Sequence, residues 1–164
     1  MTIQLRPATS DDHDAIVEVF LGCWRQSYAG FLPQFAIDAM TDERASSLWT
    51  DLLKEGPGTV LVAECELEVM GVTRFETHAE TGIVASLYVS PHAHGGGVGT
   101  LLLERSRAAM TKDAPRNLVL WVFADNVPAI RFYRRLGWLP DGHSRTQDEF
   151  GVPELRLVFQ ETAP

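Results

Sequence analysis

The sequence predicts an α+β domain built on a mixed sheet, and three observations carry that reading. Strand-like and helix-like segments follow the order β-α-α-β-β-β-α-β-α-β-β; the middle of the chain is an antiparallel meander; and a strand–helix–strand unit joins Leu87 to Val119, a crossover that demands parallel pairing. At 164 residues the chain has the length of one domain, read as 1–164, with no internal repeat, low-complexity tract or linker.

Ile3-Gln4-Leu5 alternates ahead of Pro7 and makes the first strand. Thr9 or Ser10, with Asp11 and Asp12, caps a helix whose apolar positions Ile16, Val19, Phe20 and Cys23 recur at helical spacing, and which runs out near Tyr28 and Gly30. A second helical stretch covers roughly 33–53, interrupted at Met40-Thr41-Asp42 where a new N-cap fits. After the turn Gly56-Pro57-Gly58 come a strand at 59–64, its hairpin partner at 69–75 and a third strand at 82–90. A helix at 98–110, a strand at 118–123, a helix at 126–136 and closing strands near 138–146 and 153–160 complete the order. The closing strands suit pairing within one chain or across two, so a homodimer is a possible form. The run Leu118-Val119-Leu120-Trp121-Val122-Phe123 is apolar on both faces, which places it centrally in the sheet.

Fourteen Lys and Arg against twenty-two Asp and Glu leave a formal charge of −8, which argues against nucleic acid phosphates and anionic membranes as partners. The longest apolar run is seven residues, 118–124, against the roughly 20 of a bilayer-spanning helix. The N-terminal stretch lacks the apolar segment of a signal peptide, so a cytoplasmic location is expected. Cys23 and Cys65 give neither a disulfide framework nor zinc-ligand spacing and read as core residues; no metal is expected.

The chemistry concentrates in two segments. In the first, Leu87-Tyr88-Val89-Ser90-Pro91 ends a strand, and His94-Gly95-Gly96-Gly97-Val98-Gly99-Thr100 turns into a helix. Glycine permits positive φ and close approach to a ligand, and the first helical amides have no intrahelical partner, so this turn is an anion site. No lysine follows the last glycine as a mononucleotide loop requires, and a dinucleotide fingerprint fails from either Gly95 or Gly97. His92 and His94 can donate to an anion. Arg105 shares a helical face with Val98, Leu101, Leu102 and Ala109 and must extend to an edge or find a partner. In the second segment Asn126 opens a helix with Pro128 in its first turn and Gly137 at its end, and Asn126, Ala129 and Tyr133 share one face.

These residues resemble the GNAT superfamily of acyl-CoA-dependent N-acyltransferases. Leu87, Val89, Pro91, Gly97 and Gly99 match its strand-and-turn pattern, with His94 standing where the family has Gln or Arg; Asn126, Ala129, Phe132, Tyr133, Gly137 and Trp138 match its second motif. The resemblance implies a central mixed sheet of about seven strands flanked by about four helices. It also implies an enzyme that transfers an acetyl group from acetyl-CoA to a primary amine of a small molecule, peptide or protein. Leu87, Tyr88, Val89, His94, Gly95, Gly96, Gly97, Val98, Gly99, Thr100, Asn126, Ala129 and Phe132 would contact the cofactor. Tyr133 would be the catalytic acid for the departing thiolate. Trp24, Tyr28 and Phe31, from the wall formed by the first two helices, would contact the acceptor. A backbone N–H where the Leu87–Val89 strand splays from its neighbour would meet the developing oxyanion. No general base is assigned, since Glu64, Glu66, Glu76, His78 and Glu80 read as solvated groups. The alternatives are a non-catalytic acyl-CoA sensor and a phosphate-binding interaction domain.

Overall fold

The computed structural model describes residues 2–161. Seven strands form one sheet: β1 (Gln4–Pro7), β2 (Thr59–Cys65), β3 (Glu68–His78), β4 (Thr81–Val89), β5 (Asn117–Phe123), β6 (Trp138–Gln147) and β7 (Val152–Phe159). Their spatial order is β1-β2-β3-β4-β5-β7-β6. All neighbours are antiparallel except β4 and β5, the pair that the crossover from Leu87 to Val119 requires. β5 lies between β4 and β7, as its two apolar faces demand.

The helices are α1 (His13–Gly22), α2 (Gln34–Ala39), α3 (Asp42–Glu55), α4 (Val98–Thr111) and α5 (Val127–Arg135). Among the described residues there are thus five rather than about four, because the interruption at Met40-Thr41-Asp42 ends one helix and starts another. Thr41 Oγ1 accepts the Arg44 N–H at 3.2 Å and caps α3. α1 does not simply stop: a π-helical turn at Cys23–Ser27 carries it on to Tyr28. The closing strands β6 and β7 pair with each other inside the chain, with β7 inserted between β5 and β6.

Two cores lie on opposite faces of the sheet. Ile16, Phe20, Trp49, Val62 and Val72 join α1 and α3 to one face. Leu102, Leu103, Leu120, Trp138 and Leu157 join α4 and its neighbours to the other. Gly71 lets β3 and α4 approach, since a Cβ there would stand 2.9 Å from Leu102 Cδ1 and from Val98 Cγ1. Among the described residues no helix is long and apolar enough to cross a membrane.

Candidate active site

β4 parts from β5 after four paired residues. The parallel register runs from Thr81↔Asn117 to Val84↔Leu120, while on its other side β4 stays on β3 as far as Gly71↔Val89. The register shifts where Arg74 faces Ser86 and Phe75 faces Val84, leaving Ala85 as an extra residue in β4. Such a bulge bends the strand at the point of parting. The Ser90 N–H donates to Met70 O at 2.9 Å. Alternation along the strand therefore turns the Leu87 and Val89 amides the other way, into the fork between β4 and β5. Val89 O is already engaged, accepting from Cys23 Sγ at 3.1 Å and bonding His94 Nε2 at 3.0 Å.

Beyond the fork, the chain passes through a 3-10 turn at Pro91–Ala93 into the glycines. Gly95 and Gly97 have φ of +81° and +84°, and no atom lies within 4 Å of where their Cβ would stand. Gly97 is the N-cap of α4 and offers no side chain to its first amides, which leaves Val98, Gly99 and Thr100 N–H groups for an anion. Gly99 serves packing instead, because a Cβ there would sit 3.2 Å from Phe132 Cζ of α5. The two histidines turn back on the protein. His92 bonds Ser90 Oγ at 2.7 Å and Glu68 Oε1 at 3.1 Å, and the His94 ring rests on Val89 O. Arg105 is exposed beside a cavity of about 390 Å³ lined also by Leu5, Phe75, Ala109 and Met110, which answers how it leaves its apolar face.

α5 closes the same side. Asn126 Oδ1 accepts the Ala129 N–H at 3.3 Å, so the side-chain NH₂ is what remains for a ligand. Tyr133 is 9% exposed, its ring 5.2 Å from that of Phe132, and burial raises its phenol above the ordinary tyrosine range. It therefore holds its proton throughout the neutral range.

On the opposite face, the π-helical turn brings Trp24 and Tyr28 to the fork. Tyr28 lies 5.5 Å from Trp24, 5.4 Å from Phe31 and 5.5 Å from Phe123, and Phe31 lies 6.0 Å from Phe123. Trp24 is buried and backs this wall together with Phe150, 5.4 Å away, while Tyr28 and Phe31 are half-buried. Tyr88 packs edge-on against Phe20 at 4.9 Å on this face. Burial, then the neighbouring Tyr88, holds the Tyr28 phenol well above its ordinary range.

Three residues here escaped sequence reasoning: Phe123, Phe150 and Glu154. Phe123 read simply as strand core, and Phe150 lies between two strands. Glu154 is buried on β7, directly across from Phe123, and its Oε2 accepts from Arg145 Nε at 2.6 Å. The alternation of Glu154 and Arg156 with Leu155 and Leu157 signals a strand with one polar face, but only the strand order shows that this face borders the fork. The carboxylates set aside as solvated are mostly paired: Glu64 with Arg6, Glu76 with Arg74 and His78, Glu80 with Arg116.

A parted strand pair thus leads to a glycine-lined helix N-terminus, a geometry with room for an extended chain in the fork and for an anion at the turn. The model of the acetyltransferase (GNAT) family matches residues 14–138, and the chain belongs to that family. Its reaction class is acetyl-CoA-dependent acetyl transfer. The chain is 29% identical over 138 residues to an N-acetyltransferase of Archaeoglobus fulgidus, covering 80% of this chain and 89% of that one. It is 32% identical over 99 residues to the mycothiol acetyltransferase of Streptomyces griseus, a match that covers 59% of this chain and spans only 31% of that relative. In fold it is similar to an N-acetyltransferase of Thermoplasma acidophilum solved in complex with coenzyme A, with a TM-score of 0.78 at 19% identity, covering 98% of this chain and 100% of that one.

Proposed function

We propose that this enzyme acetylates a primary amine of a small molecule or a peptide, with the β4/β5 fork and the Gly95–Thr100 turn as donor site and Tyr133 as acid. The observation that carries the reading is the continuity of free backbone donors: the Leu87 and Val89 amides in the fork, then the first amides of α4 behind Gly97. Their geometry fits the group, since the positive-φ glycines leave open space where side chains would otherwise stand.

Acetyl-CoA, when bound, supplies a thioester already activated for attack by nitrogen. The α4 amides would hold its pyrophosphate. The Asn126 NH₂ and the Val89 amide would orient the arm. The Leu87 N–H would donate to the thioester carbonyl oxygen, where one fixed donor is worth about 10²–10³ in rate. The Tyr133 hydroxyl would give its proton to the departing sulfur, a role that burial supports by keeping the phenol protonated. The amine, with an ordinary pKa near 10.4, must lose a proton before attack. The formal charge of −8 supports a cationic acceptor.

Calorimetric titration with acetyl-CoA, on the natural sequence and on Gly97→Glu, tests the donor site; heat that the variant abolishes supports it. Thiol release then separates an enzyme from a sensor. Tyr133→Phe should lower turnover about 10²-fold or more while leaving acetyl-CoA affinity unchanged, whereas unaltered turnover would remove Tyr133 from the mechanism.

A further inference from the structure

Across the sheet at the level of the fork, five residues form one row. Val72 faces Tyr88, Phe123 faces Glu154, and Glu154 faces Arg145. Continuing from Val84↔Leu120 with Ala85 as the extra residue of the bulge sets Tyr88 level with Phe123, so the fork is the gap in this row. Glu154 stands on the far side of that gap, with its side chain on the same face as Phe123. Phe123 in turn touches Tyr28 and Phe31. A carboxylate thus sits at the back of a ring-lined wall, nine-tenths buried. Only its Oε2 is bonded among the described residues, and Oε1 is left for another donor.

We infer that Glu154 and the rings of Tyr28, Phe31 and Phe123 form a subsite for a second positive charge on the acceptor, so that the preferred substrate is a primary amine carrying another cationic nitrogen a few bonds away. This rests on the acetyl-transfer reading and deepens it. Distance decides which nitrogen Glu154 meets. Strands lie about 4.8 Å apart, so β7 is about 10 Å or more from the Leu87 amide across the open fork and β5. The attacking nitrogen must come within about 3–3.5 Å of the thioester carbon, which leaves the carboxylate several ångströms further on. That gap matches a short carbon chain. A carboxylate against aromatic faces, away from bulk water, is the setting in which a cation is held by both charge and ring quadrupole. The closeness of the Glu154 charge also contributes to the high values of Tyr28 and Tyr88.

Arg145 is the resident cation. Its side chain is 53% exposed, and its guanidinium stacks 4.2 Å from the centroid of the Trp121 ring while it bonds Oε2 alone, so it is open to solvent exchange and leaves Oε1 uncovered. It therefore competes with an incoming ammonium rather than sealing the subsite.

The test compares 1,4-diaminobutane with 4-aminobutan-1-ol, which share the reacting amine and differ in the distal charge. Thiol release and calorimetric binding of the diamine to the CoA-loaded protein are measured for the natural sequence, Glu154→Gln and Arg145→Gln. The diamine should be favoured in kcat/KM about tenfold or more, as for a charge-assisted bond. Glu154→Gln should erase that preference through KM and leave the aminoalcohol unchanged, while Arg145→Gln should bind the diamine more tightly. Equal losses on both amines, or equal weakening by both variants, would assign Glu154 a structural or proton-transfer role and overturn the inference. Failure of the acetyl-transfer reading shows differently: neither amine releases thiol. Diamine heat then still reports on the subsite, and its absence from the natural sequence overturns the inference as well.

Discussion

Cys23 shows how one side chain serves the fork without chemistry of its own. Its thiol donates to Val89 O, tying the π-helical turn that carries Tyr28 to the end of β4. Burial pushes its pKa up from 9.0 to about 11, so at pH 8 the thiolate is about 100-fold scarcer than in an ordinary cysteine. A thiol reagent at pH 8 should therefore label the folded protein at Cys23 slower by at least that factor, and promptly after denaturation; rapid native labelling would show the turn to be open. The glycines separate by the same kind of reasoning. Gly97→Ala meets no neighbour but must hold φ near +84°, a strain of about 1–2 kcal/mol. Gly99→Ala keeps an ordinary backbone and presses on Phe132. Thermal unfolding of Gly97→Ala should fall by roughly 2–8 °C, with cofactor affinity reduced as the turn relaxes.

The attachment of β1 to α1 is an element-scale device with a pH signature. Arg6 donates from Nη1 and Nη2 to the two Asp12 oxygens at 2.8 Å and from Nη2 to Glu64 Oε2 at 2.6 Å, while Thr9 N–H also reaches Asp12 Oδ2 at 2.8 Å. The Arg6 bond, more than any other cause, draws the Asp12 pKa below its ordinary value of 3.8. Stability from this link is thus complete above about pH 4 and lost as pH falls through the lower, folded value. Because Arg6 is 37% exposed, its contribution is screened to about 1 kcal/mol. Asp12→Asn should lower the melting temperature by roughly 2–4 °C at pH 7 and by much less near pH 2, and a pH-independent difference would contradict the linkage. Such elements were largely legible in the sequence. The caps at Thr41 and Asn126, the turn at Gly56-Pro57-Gly58, the doubly apolar β5 and the glycine turn all follow from local chemistry, whereas Tyr133 stands out only through the resemblance to the family. What local pattern could not supply was the insertion of β7 between β5 and β6, a long-range choice, or the bulge at Ala85 that opens the fork. Without strand order, Glu154 is one more acidic residue on a strand, and Phe123 one more apolar one.

For the whole molecule, the sheet divides the work of its two faces. One core, with Leu102, Leu103 and Trp138, sets α4 and α5 around the proposed donor side; the other, with Phe20 and Trp49, sets α1 and its π-helical turn around the proposed acceptor side. On that proposal the two substrates meet only where the sheet itself opens between them. The formal charge of −8 over the whole sequence repels a phosphate-bearing donor at long range and attracts a cationic amine. Donor binding must then rely on short-range amide contacts, and acceptor capture should depend on ionic strength. Since the Debye length shrinks from about 30 Å at 0.01 M to about 8 Å at 0.15 M, kcat/KM for a dicationic amine should fall severalfold over that range. A monocationic amine of equal length should fall by less, and acetyl-CoA affinity should rise or stay level. The Glu154→Gln variant should keep this salt slope while losing its diamine preference, because the first arises from the whole charge distribution and the second from one carboxylate at the fork. A salt slope that vanished with Glu154 alone would place the attraction in the subsite, and stopped-flow rates at two salt concentrations are enough to decide.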